Sequence, residues 1–225
     1  MRFFFTFLFV GFWSFAFAQS SFELGVFPAF NLNKKIAKDW KGNLKIESRQ
    51  LLKKGVFGEN AEFNYQYVLT DVALVVSRKV GLNNKIGFGY QIRFRDGMLT
   101  HSAIQQYTLV GKFPGFRLAH RIAADQAFSK DNPAQLRFRY RATLQVPLNG
   151  QSLDPKEFYL KLNNEYFNIV EDSEYDLEIR VVPLIGYIIT DANKFEFGID
   201  YRVSSFVNAA SKSRLGLSLG WYLAI

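Results

Sequence analysis

The stretch 136–146 reads LRFRYRATLQV, and its alternation limits what the chain can become. Leu136, Phe138, Tyr140, Ala142, Leu144 and Val146 are apolar or aromatic, while Arg137, Arg139, Arg141, Thr143 and Gln145 between them are polar. Successive side chains of a strand point to opposite faces, so the segment makes one greasy face and one charged face. On a helix the same arginines would scatter around the circumference. A strand is therefore expected, with lipid-grade chemistry on one side and guanidinium groups on the other.

The same period recurs. Ile86, Phe88, Tyr90, Ile92 and Phe94 alternate with a face carrying Lys85, Arg93 and Arg95. Phe195, Phe197, Ile199 and Tyr201 alternate with Glu196, Asp200 and Arg202. Leu215, Leu217, Leu219, Trp221, Leu223 and Ile225 make a last apolar row, like an outer-membrane assembly signal, with Ile225 where such signals carry an aromatic. Turns are expected at 81–84, 113–115 and 191–193, all at one, periplasmic, end. The stretch 22–32 is less regular and contains Pro28, which suggests an edge or terminal strand. At Thr70–Asp71 the parity of the apolar residues flips, as a bulge or a tight turn would make it. A bulge gives about eleven strands and a turn about twelve; twelve is favoured because bacterial barrels are even, with ten the other possibility.

Alternating segments of about ten residues separated by turns predict an all-β fold, an antiparallel up-and-down transmembrane β-barrel. A soluble sandwich or lipocalin-like barrel also alternates. The membrane barrel is favoured because the polar face carries long, oppositely charged groups on many strands, as an ion-paired lumen does. Residues 1–18 read as a cleaved signal peptide: Arg2 precedes an apolar run, and Ala16-Phe17-Ala18 is a small-x-small cleavage site. Residues 19–225 then form one barrel domain. Beyond residue 18 no apolar run is long enough for a spanning helix, so a closed barrel is the remaining way across a membrane. The expected location is the cell outer membrane.

The charged face is expected to form a lumen network of Arg93, Arg95, Arg121, Arg137, Arg139, Arg141, Glu165, Asp176, Glu178, Arg180, Glu196, Asp200 and Arg202, with Lys45, Glu47, Arg49 and Asp125 beside it. A regular hairpin around Gln151 would put Glu165 across from Arg137 or Arg139, with Asp176 and Glu178 continuing the band. The formal net charge is +8, and arginine exceeds carboxylate on this face. The barrel is accordingly read as structural or as a narrow anion-preferring pore.

Other chemistries have less support. An outer-membrane lipid hydrolase needs a histidine and a serine on one face, so that the base reaches the nucleophile. The chain has two histidines, His101 and His120; Ser102 follows His101 directly and points the other way on a regular strand, and His120 has no serine two residues away. No catalytic residue is assigned, though a lipid-modifying enzyme stays the alternative, with a soluble secreted binding barrel after it. The chain contains no cysteine and no calcium-loop or phosphate-loop spacing, so neither metal nor cofactor is expected. Export and inward-facing arginines argue against nucleic acid. The expected partners are outer-membrane lipid, lipopolysaccharide phosphates touching loop lysines such as Lys34, Lys35, Lys53 and Lys54, and the barrel-assembly machinery through the last strand.

Several short motifs also occur in a telling order: Gln105-Gln106-Tyr107, Leu136-Arg137-Phe138-Arg139-Tyr140-Arg141, Asn164-Glu165-Tyr166-Phe167, Arg180, Ile185-Gly186-Tyr187 and Gly198-Ile199-Asp200-Tyr201-Arg202. In this the chain resembles a family of uncharacterised bacterial outer-membrane proteins, domain of unknown function 2490 (DUF2490). The family pattern is more charged around Arg121 than Arg121-Ile122-Ala123-Ala124-Asp125, which implies a thinner ion network there. The resemblance implies an outer-membrane barrel and no particular activity.

Overall fold

The computed structural model describes residues 21–57, 62–130, 133–205, 207 and 210–225. The expected signal peptide lies outside the described residues. The elements are β1 (Ser21–Lys35), β2 (Trp40–Val56), β3 (Phe63–Lys79), β4 (Asn84–Arg95), β5 (Met98–Phe113), β6 (Phe116–Ser129), β7 (Gln135–Pro147), β8 (Phe158–Glu171), β9 (Glu174–Thr190), β10 (Asn193–Ser204) and β11 (Lys212–Ala224). Consecutive strands pair antiparallel, and β1 meets β11 to close the barrel. Among the described residues there is no helix.

The favoured count of twelve strands is corrected to eleven. Across the parity break, β3 is continuous: Arg49 faces Leu69 and Gln50 faces Tyr67, so Val68 is one extra residue. This bulge turns the side-chain alternation over without ending the strand. Leu69 and Asp71 thus face the interior, whereas Tyr67 stays on the outside. An odd number of up-and-down strands leaves the first and last running the same way. The seam is accordingly parallel, from Ser21↔Lys212 to Asn33↔Ala224.

The stretch around Pro28 is the terminal strand of the two alternatives, and it is not an edge. As β1 it is a wall strand with neighbours on both sides. Its ladder to β2 steps from Val26↔Gln50 to Ala29↔Glu47, the interruption expected where a proline supplies no N–H.

The two faces of the wall are inverted relative to a soluble protein. Phe88, Ile122 and Phe138 on the outside are 62%, 60% and 57% exposed. Along β10, outward Phe195, Phe197, Ile199 and Tyr201 are exposed while Glu196, Asp200 and Arg202 are buried inside. Two interior aromatics lie flat over glycines. A Cβ on Gly186 would stand 2.1 Å from the Tyr159 ring, and one on Gly216 would stand 2.0 Å from that of Phe27. Only a residue without a Cβ admits so close an approach.

The connections at 36–39, 80–83, 114–115, 148–157 and 191–192 share one end of the barrel with Ile225, whose backbone N–H donates to Asn33 at 2.9 Å. We refer to this as the C-terminal end. The turn positions 81–84, 113–115 and 191–193 lie there together.

Candidate functional site

Because strands in a barrel tilt, a row of directly opposed residues climbs from one end to the other. One inward row runs Lys79↔Lys85, Lys85↔Thr108, Thr108↔Arg121, Arg121↔Arg141, Arg141↔Glu165, Glu165↔Arg180, Arg180↔Arg202, Arg202↔Arg214 and Arg214↔Glu23. It is a spiral of cations interrupted by Thr108 and Glu165. Like charges directly opposite each other are unfavourable unless something neutralises them.

At the waist and toward the opposite end, carboxylates do so. Glu165 accepts two hydrogen bonds from Arg141, at 3.0 and 2.9 Å, and lies 3.6 Å from Arg180. Asp200 accepts from Arg202 at 2.7 Å and also from Arg180. Asp71 receives a forked pair of bonds from Arg93, at 2.7 and 2.8 Å. Glu23 sits 2.6 Å from Arg214 across the seam. Asp125 is shared by Arg139 at 2.7 Å and Arg137 at 3.4 Å. Glu196 accepts from the Tyr159 hydroxyl at 2.6 Å and from Lys161 at 2.7 Å. Planar, charge-assisted contacts of this kind hold their geometry tightly. The waist is filled by side chains: Glu47, Glu165, Asp200 and Arg202 are all buried.

Toward the C-terminal end the balance fails. A cavity of about 890 Å³ is lined there by eleven lysine and arginine side chains and one carboxylate, Asp39. Its floor cations Lys45, Arg139, Arg141 and Lys161 each pair with a carboxylate reaching up from the waist. Above them, Lys85 and Arg121 lie in the spiral row, and Lys112 faces Arg117 directly. Among the described residues, no carboxylate lies within 4 Å of these four. The Nε–H groups of Arg117 and Arg121 are shielded from solvent, yet neither has a hydrogen-bond partner among the described residues. Lys85 is within electrostatic reach of Lys41, Lys112, Arg117 and Arg121. The chamber is therefore a concentrated positive field above a neutralised floor.

The residues expected for the lumen separate into four groups. Arg93, Arg137, Arg139, Arg141, Glu165, Arg180, Glu196, Asp200 and Arg202 stand in the ion pairs above, but the expected register is corrected: Glu165 faces Arg141, not Arg137 or Arg139. The cause is the connection 148–157, which is too long to impose a hairpin register. Asp176 faces Ile169 and accepts the Ser205 backbone N–H at 3.2 Å, and Glu178 faces Phe167. Among the described residues neither has a cation within 4 Å. Arg95 lies at the rim, 3.7 Å from Asp96, and Arg121 lies in the chamber. Sequence reasoning misses Asp71, Glu23, Arg214 and Lys161 as pairing partners and Lys85 and Lys112 as chamber residues. Lys85 shares its parity with Arg93, so the alternation of β4 carried a usable signal; the bulge at Val68 hid Asp71.

Both histidines point outward. His101 Nδ1 is 2.6 Å from the Tyr90 hydroxyl, and His120 Nδ1 is 2.8 Å from that of Tyr140. Ser102 is buried on the inner face, the side away from His101. Among the described residues neither histidine meets a serine or a carboxylate, and no cluster of His, Cys, Asp or Glu fits a metal ion.

A family model described as "Protein of unknown function (DUF2490)" matches residues 24–213. No curated protein matches the chain, and no solved structure does.

Proposed function

The chain belongs to the DUF2490 family of proteins of unknown function, and from that premise we propose that it is an outer-membrane β-barrel whose lumen is a narrow, anion-preferring pathway held shut at its waist. The observation carrying this reading is the under-compensated chamber, in which seven of eleven lining cations have no carboxylate within 4 Å among the described residues, at the end of a lumen closed by ion pairs. A positive field in a confined space concentrates anions and excludes cations.

The outer wall supports the membrane setting. Large apolar side chains are exposed on each strand from β2 to β11, well beyond the patch that a soluble monomer tolerates. Aromatic contacts gather at both ends: Phe30, Phe195 and Trp221 at the C-terminal end, Phe22 and Phe57 at the other. Such rings favour the membrane–water interface. With β11 as the strand offered to the assembly machinery, the C-terminal end faces the periplasm and the chamber opens there. Lys53 and Lys54, at the opposite end from Lys34 and Lys35, are then the pair that meets lipopolysaccharide phosphates.

Carbonate washing and planar-bilayer recording test the two parts. The protein should stay with the membrane until detergent is added, and its openings should reverse near the chloride potential. Release by carbonate contradicts the membrane setting; reversal at the cation potential contradicts the anion preference.

A further inference from the structure

We infer that the chamber is a binding site for an oligophosphate, a ligand with several linked phosphate groups, held by Lys85, Lys112, Arg117 and Arg121. The inference rests on the proposed reading of the chamber as anion-accepting and specifies what it accepts.

The cations are spread along the wall rather than set around one point. Lys85 and Arg121 are two strands apart in one row, a backbone separation of about 9–10 Å. Arg117 and Arg121 are four residues apart on β6, about 13 Å along the strand. One orthophosphate or one carboxylate carries too little charge to balance four cations, whereas a chain of phosphates can follow the row and balance it. Charge points the same way. Beyond the four floor cations with their own carboxylates, seven cations line the cavity, since eleven less four leaves seven. A dicarboxylate leaves most of that charge uncompensated; several phosphate groups, each carrying between one and two charges, match it.

The neutral lining fits the same ligand. Thr108, Gln106, Gln145 and Asn84 add hydroxyl and amide donors between the cations. The guanidinium groups of Arg117 and Arg121 line the chamber without a carboxylate within 4 Å among the described residues, and planar forks of this kind suit phosphate oxygens. The one aromatic lining the chamber, Tyr222, has its ring engaged by Lys194 at 4.8 Å and Lys161 at 5.5 Å. The chamber offers a nucleobase this single ring, already approached by two cations, so recognition falls on the phosphate chain. The volume is that of a small-molecule site.

Titration of the refolded full chain in detergent micelles with tripolyphosphate tests the assignment. Saturable one-to-one binding is expected, at least tenfold tighter than orthophosphate, and weakened by about tenfold in Lys85→Gln and in Arg121→Gln. Neither variant removes an ion pair, so both retain the barrel, and Lys54→Gln outside the chamber serves as the control. No saturable binding, equal affinity for orthophosphate, or binding indifferent to both chamber variants overturns the inference. A micelle-borne phosphomonoester lipid should not displace tripolyphosphate; if it does, the site belongs to a lipid headgroup and the soluble ligand is wrong. Binding without conductance keeps this site and removes the pore, whereas selective conductance without binding removes this site alone.

Discussion

Arg121 and Arg141 stand directly opposite each other on β6 and β7, and among the described residues only Arg141 of the two meets a carboxylate. The pairing separates two regimes of one lumen. At the waist Arg93, Arg141, Arg180, Arg202 and Arg214 each meet a carboxylate; in the chamber Lys85 and Arg121 share one row of cations and Lys112 faces Arg117. Stability alone does not explain the upper arrangement, because opposed like charges cost energy. An anion-attracting field does.

Arg121→Gln should therefore leave stability unchanged or raise it by about 0.5 kcal/mol, by removing a like-charge contact. The same change should pull the reversal potential of the barrel toward the non-selective value. Urea unfolding in micelles and bilayer recording measure the two effects separately.

Glu165→Gln should act oppositely. Glu165 is buried and shared by Arg141 and Arg180, so its loss leaves two guanidinium groups under-compensated. The expected cost is about 3–5 kcal/mol, seen as a lower urea midpoint. Glu178→Gln, which breaks no ion pair, should stay within about 0.5 kcal/mol of the parent.

Gly186→Ala places a methyl 2.1 Å from the Tyr159 ring. That ring is held by the hydroxyl bond to Glu196 at 2.6 Å, so it cannot swing aside without leaving Glu196 short of a donor. A loss of about 1–3 kcal/mol is expected in equilibrium unfolding.

Ile199→Arg tests the outer wall. On a lipid-facing strand near the bilayer midplane, the substitution should cost about 2–4 kcal/mol in refolding from urea into vesicles. On the surface of a soluble barrel the same change would be nearly neutral, so a change under about 0.5 kcal/mol contradicts the membrane setting.

The barrel was legible because period-two alternation is local: 136–146 declares its two faces without reference to any other strand. The interior charges on β7, β9 and β10 follow from the same parity. What depends on distant segments was not legible. The parallel seam joins Glu23 to Arg214, residues at opposite ends of the chain that no local pattern connects. The partner of Glu165 depends on register across the 148–157 connection, and parity leaves register free in steps of two residues. Strand number turned on one bulge, where Val68 alone decides whether Asp71 reaches Arg93. The chamber is harder still, because an uncompensated cation is recognised only after the compensated ones have been paired.

The central claim is an inner wall carrying an uncompensated positive field and an outer wall facing lipid. The chain has no cysteine, so single cysteines report on it without background. Thr108 sits between Lys85 and Arg121 in the spiral row and lines the chamber, while Phe138 is exposed on the outer wall. In proteoliposomes, Thr108→Cys should react with an anionic methanethiosulfonate about tenfold or more faster than with a cationic one, and Phe138→Cys should resist both. Equal rates at position 108, or ready labelling at position 138 by either reagent, would contradict the account.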